Sequence, residues 1–175
     1  MPGLRKKLVA ICAAIISVVA ISSCDTVNDE RIPSLPVNIN LSPTAMWDAY
    51  GVTAFGSSRR FVPQLHEPSG FAWLDRSAVG YGGVLLVCGI NPFTSEAAVP
   101  VAFDLSCPVE RQPDVRVRMQ PTETFPEAVC PECGSVYDVI ERGGVATAGP
   151  ALSDRYGLRR YEVIPANTGG YLIIN

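Results

Sequence analysis

Val115-Arg-Val-Arg-Met119 is a stretch in which apolar and charged side chains strictly alternate. A period of two puts Val115, Val117 and Met119 on one face and both arginines on the other, which is the pattern of a half-buried strand. The same reading extends outward in both directions. Upstream, residues 101–105 and the nearly continuous apolar run 84–90 read as strands; residues 37–41 alternate, and 51–56 and 71–74 are brief apolar runs. Downstream come 135–140, 161–164 and 171–174. Fifteen prolines and fifteen glycines fall mainly between these runs, and at most a turn or two around residues 44–50 can be helical. The pattern predicts an all-β domain, an antiparallel sandwich or partly open barrel. At 175 residues with 47% hydrophobic content, the chain is long enough for one domain with a real core.

The first residues do not belong to that domain. Arg5, Lys6 and Lys7 precede an uninterrupted apolar run, residues 8–21, that ends at Ser22-Ser23-Cys24. A basic start, an apolar run too short for a comfortable membrane span and then small residues describe a secretory signal. Cysteine after two small residues resembles the lipobox of bacterial lipoproteins, which implies that residues 1–23 are removed and Cys24 carries the acyl chains, palmitate among them. The chain is then exported and held to a cell-envelope membrane through Cys24. Residues 24–36 are polar, acidic and broken by Pro33 and Pro36, and read as a flexible tether to a domain spanning 37–175. Removing residues 1–23 takes away three basic groups and no acidic ones, so the charge moves from −3 to −6. Such a balance argues against binding to nucleic acid or to anionic lipid head groups. Of six cysteines, Cys12 leaves with the signal and Cys24 is lipidated, so Cys88, Cys107, Cys130 and Cys133 remain for the domain.

Two of the loops carry those cysteines, as Cys107-Pro-Val109 and as Cys130-Pro-Glu-Cys133-Gly-Ser-Val-Tyr-Asp138; Gly143-Gly144 and Gly149-Pro-Ala151 follow. Over residues 101–163 this order resembles the cluster-binding loops of Rieske [2Fe-2S] proteins, and the chain as a whole is similar to a Rieske-like lipoprotein of Bacteroidetes-type envelopes. The resemblance implies a Rieske-like β domain with a small cluster-binding subdomain over about residues 106–138. It further implies that Ser135 and Tyr137 hydrogen-bond the cluster and a ligand sulfur, and that Gly149, Pro150 and Ala151 pack over it.

The family's loops read Cys-x-His and Cys-x-x-His. Here the two histidine places are Val109 and Cys133, and the sole histidine, His66, lies far upstream in what reads as a surface loop. A two-histidine centre is therefore excluded by counting. Cys88 cannot complete a four-thiolate cluster either, because on the expected pairing of 84–90 with 101–105 it stands roughly 15 to 20 Å from Cys107; it reads as a small buried apolar residue.

Cys107, Cys130 and Cys133 remain. Cys130-Pro-Glu-Cys133-Gly also resembles one knuckle of a zinc ribbon, and Glu110 or Glu132 could supply a fourth ligand to zinc or iron. A thioredoxin-like reading fails, because the motif runs into a strand and lacks the helix N-terminus that lowers a catalytic thiol's pKa. In a Rieske scaffold the first cysteines of the two loops bind the same iron, which implies that without it a Cys107–Cys130 or Cys107–Cys133 disulfide can staple the loops, stabilising by about 3 kcal/mol.

The leading expectation is thus a cell-envelope lipoprotein with a degenerate Rieske-like domain. It holds no cofactor, is not an enzyme, and serves as a structural or partner-binding module with stapled loops. The alternative is an electron-transfer or metal-binding protein with an Fe–S or zinc site on the three cysteines and a redox or envelope protein as partner. Arg59-Arg60, Arg116, Arg118 and Arg159-Arg160 read as solvated strand faces, and Gly82-Gly83 and Gly143-Gly144, with no helix after them, do not read as phosphate loops.

Overall fold

The computed structural model describes residues 26–175; residues 1–23, expected to be a signal segment, and Cys24, expected to be lipidated, lie outside the described residues. The protein is all-β, built from two antiparallel sheets. In the larger, β1 (Val37–Leu41), β2 (Ser58–Phe61), β3 (Ala78–Val79), β4 (Val84–Ile90), β5 (Ala97–Asp104), β10 (Arg160–Pro165) and β11 (Tyr171–Ile174) follow the order β2-β4-β5-β10-β11-β1-β3 and curl into a nearly closed barrel. The smaller runs in sequence order, β6 (Arg118–Gln120), β7 (Glu127–Val129), β8 (Val136–Asp138) and β9 (Val145–Ala148). Two short helices, α1 (Thr44–Tyr50) and α2 (Pro150–Ser153), complete the chain.

β4 shows why its sequence is apolar without interruption. Val84, Leu86 and Cys88 point into the barrel beside Ile39, Phe61 and Ile173. Leu85 and Val87 point the other way, into a second core shared with Phe103, Leu105, Val117, Tyr137 and Ile140. A strand buried on both faces has no polar side to alternate with. Cys88 pairs with Pro100 across the sheet and is buried in the barrel core, whereas Cys107 and Cys130 belong to the second core. The expectation of a buried Cys88 remote from the loops matches this arrangement.

The strands at 37–41, 84–90 and 171–174 and the helix at 44–50 fall where the sequence puts them. Residues 51–56 and 71–74 are not strands; their apolar side chains pack from loops, with Phe71 set edge-on to Phe61 and Trp73 at 5.4 and 4.8 Å between ring centroids. β2, β3, β7 and β9 lie outside the expected runs. β2 reads Ser-Arg-Arg-Phe because it is the last strand of its sheet and buries only Phe61, and the others are too short to show a period.

Residues 27–36 are not a flexible tether. Ile32 is fully buried, and Asn28 forms a bridge with Tyr156, its N–H donating to the Arg155 carbonyl at 2.9 Å. The Arg159 guanidinium donates to the Ile32 carbonyl at 2.7 Å, and the Asn175 amide to the Leu35 carbonyl at 2.9 Å. A single apolar anchor and backbone hydrogen bonds leave no mark on composition. The arginines are likewise more than solvated faces: Arg160 lies over the Phe93 ring at 4.8 Å and donates to the Gly143 carbonyl at 2.9 Å, while Arg116 donates to the Gly82 carbonyl.

Candidate metal centre

The first cysteine loop leaves the end of β5 and turns back through residues 108–110; the second is the six-residue connection between β7 and β8, residues 130–135, which turns through 131–133. Both open from the second core, so Cys107 and Cys130 are buried and Cys133, on the outer side of its turn, is partly exposed. Their three sulfurs all lie within 4.8 Å of one another, and Cys107 Sγ and Cys133 Sγ are 3.6 Å apart. Thiolates at 2.3 Å from one tetrahedral ion stand about 3.8 Å apart, so the triangle has the size for a single metal ion. A two-iron cluster spreads its ligands over two irons held apart by bridging sulfides, and a sulfur at the place of Cys133 would then stand farther from Cys107 than it does.

The surroundings suit thiolates. The amides of Cys133 and Glu132 point at the Cys130 sulfur, as the knuckle reading expects. Tyr137, fully buried, sets its hydroxyl 3.4 Å from Cys107 Sγ. Cys133 Sγ is 3.1 Å from Ser135 Oγ, which also accepts the Ala151 N–H at 3.1 Å. Gly149 allows that last contact: its φ is +78°, and a Cβ there would come within 2.7 Å of Ser135 Cα. Ser135 and Tyr137 thus reach the sulfurs, while Gly149 packs against Ser135 and Pro150 opens the single turn of α2.

Other expected contributors are not part of the group. Among the described residues the group that could hold a metal ion contains no carboxylate, so neither Glu110 nor Glu132 belongs to it. Val109 packs against the second core, and His66 caps the short 3-10 turn Pro63–Leu65 as an exposed loop residue. The staple is not formed either. Cys107, Cys130 and Cys133 are free thiols, and 3.6 Å is well beyond the ~2.05 Å of a sulfur–sulfur bond.

Burial pushes the Cys130 thiol up from 9.0 to about 12; its neighbour Cys107 adds to the rise, and the two amides oppose it. Burial and the neighbouring sulfurs also raise Tyr137. A thiol whose pKa is higher folded than unfolded stabilises the fold while it stays protonated, and that stability is lost as pH rises through the folded value. The metal-free protein should therefore hold its melting temperature up to about pH 9 and lose it progressively toward pH 12, a trend that melts at stepped pH will show and that Cys130→Ala should flatten.

One buried group at the root of this site escaped the sequence reading. Asp104, the last residue of β5, is fully buried and accepts hydrogen bonds from the amides of Tyr81 at 2.9 Å, Gly82 at 3.1 Å and Ser106 at 2.7 Å, and from the Tyr161 hydroxyl. It ties the turn before β4 to the start of the first cysteine loop. The signal was an aspartate inside the apolar run Val101-Ala-Phe-Asp-Leu105, where an unpaired charge is costly. At the opposite side of the carboxylate Gly82 comes so close to Ser106 that a Cβ would clash with its hydroxyl. No family model, curated protein or solved structure matches this chain.

Proposed function

We propose that the domain carries one thiophilic metal ion, zinc or iron, on Cys107, Cys130 and Cys133, and that it works as a metal-bearing module of the cell envelope, exported and anchored through Cys24. The observation that carries this reading is the sulfur triangle itself, three free thiols from two loops within 4.8 Å. Unliganded thiols seldom converge in a core unless they pair or bind, and soft thiolate ligands select zinc and iron among common ions. Three protein thiolates leave a fourth position for water or an outside ligand. The hydroxyls of Ser135 and Tyr137 supply hydrogen bonds that a thiolate set of net negative charge needs. The likeness to Rieske loops supports the placing of these two hydroxyls and of the Gly149-Pro150 turn, and with iron bound the module would be an electron carrier.

A second reading keeps one specific support. The 3.6 Å approach of Cys107 and Cys133 is the shortest step toward a disulfide, and an exported protein meets oxidising surroundings. Metal analysis and a visible spectrum of anaerobically purified protein, with a thiol count on the mature chain, separate the two. One zinc or iron per chain, with all four domain thiols reactive after chelation, is the expected result. A metal-free protein that refuses zinc and has only two reactive thiols would establish the staple. For the anchor, Cys24→Ala should release the protein from the membrane fraction or leave an uncleaved precursor; unchanged processing would refute lipidation at Cys24.

A further inference from the structure

The outer strand of the barrel and the outer strand of the small sheet face each other across a polar trough. β2 ends one sheet and β6 ends the other, so each lacks a strand partner on its outer side. Between them lies a cavity of about 400 Å³ whose polar lining is Ser58, Arg59, Arg60, Glu67, Ser69 and Arg118. A second, of about 440 Å³, is lined by Arg60, Arg116, Arg118 and the Pro131-Glu132 turn of the second cysteine loop. Arg60 and Arg118 line both, so the two cavities adjoin.

Charge is distributed unevenly here. The chain is acidic, at −3 overall, yet four of the eleven arginines among the described residues meet at this one concavity. Glu67 pairs with Arg60 at 3.4 Å, and Asp114 and Glu132 are exposed at the far cavity. Arg59 and Arg118 have no ion pair among the described residues, and Arg60 Nε is buried without an acceptor. The four arginines outnumber these three carboxylates, and the excess raises the local potential and favours an anion. Guanidinium forks match carboxylate and phosphate oxygens in pairs.

We propose that this trough binds a small oxyanion ligand, a molecule bearing phosphate or carboxylate groups, with Arg60 and Arg118 as the principal forks and Arg59 and Arg116 flanking them. The cavity falls within the range of about 300–1,000 Å³ typical of small-molecule sites. Its concavity and its acidic rim disfavour an extended polyanion. No thiol takes part, although the Pro131-Glu132 turn that lines the far cavity lies between two cysteines of the metal centre.

Calorimetric titration of the detergent-solubilised full chain with pyrophosphate and with citrate, at low salt and with a chelator present, tests this. One saturable site is expected for at least one probe, and the probe that binds tells phosphate from carboxylate. Arg118→Gln, an exposed position that the fold does not need, should weaken binding at least tenfold, and Arg60→Gln with it should abolish binding. Arg142→Gln, an exposed cation elsewhere, should leave it unchanged. Absence of saturable binding for both probes, or equal affinities in Arg118→Gln and Arg142→Gln, would overturn the proposal.

Discussion

Replacing Cys130 with serine should weaken zinc binding by two to three orders of magnitude. Structural zinc sites release about 10–16 kcal/mol at neutral pH from four ligands, so each contributes about 3–4 kcal/mol. Each 1.4 kcal/mol is about tenfold in affinity. A hydroxyl oxygen is a poor ligand for a soft site, and Cys130 is buried, 1% exposed and aimed at by two amides. Its thiol, with a pKa of about 12, is protonated at pH 7, so each ion bound must displace that proton. Affinity should accordingly rise as pH rises from 6 to 8, by about tenfold per unit for every proton displaced. Competition with a chromophoric chelator reads both effects. Cys88→Ala, in the barrel core, is the control that should keep the affinity; equal loss in the two variants would mean that the ion sits elsewhere.

Asp104→Ala should cost about 4 kcal/mol of stability, lowering the melting temperature by about 10 °C for a domain of this size. Three backbone amides and the Tyr161 hydroxyl lose their acceptor in a place without water access. Tyr161→Phe removes one of the four bonds and should cost only about 1 kcal/mol. Thermal melts of both variants give the comparison; equal small losses would show that the carboxylate is not the common acceptor. Because Ser106 precedes Cys107, Asp104→Ala should also loosen the first cysteine loop.

Much of the barrel was legible because its strands bury residues at regular spacing. β1 and β4 each bury every residue on at least one face and β11 buries Ile173, and the ends of all three are marked by glycine, proline or asparagine. β2 and β7 were not legible, since an edge strand or a three-residue strand is specified by its neighbours' backbone rather than by its own side chains. The docking of residues 27–36 was missed for the same reason. The three cysteines were legible as a group because turn residues fix the spacing of ligands locally, and Ser135 and Tyr137 entered only through the resemblance to Rieske loops. Their mutual distances were not. Whether Cys107 meets Cys133 as a bond, as co-ligands or not at all depends on how the second core sets one loop against the other, and Asp104 takes part in that through contacts with residues more than twenty positions away.

β4 and β5 serve as a party wall. Leu85 and Leu86, adjacent in sequence, look into different rooms, and the wall closes the core beneath the cysteine loops from the barrel side. Residues 106–148 cut out on their own would keep Cys107, Cys130 and Cys133 and lose Leu85, Val87 and Phe103, the floor on which those thiols rest. The cysteine loops are therefore not a portable cassette. Any graft of them into another scaffold has to bring a strand that is apolar on both sides, and damage to the barrel will reach the sulfurs without touching them.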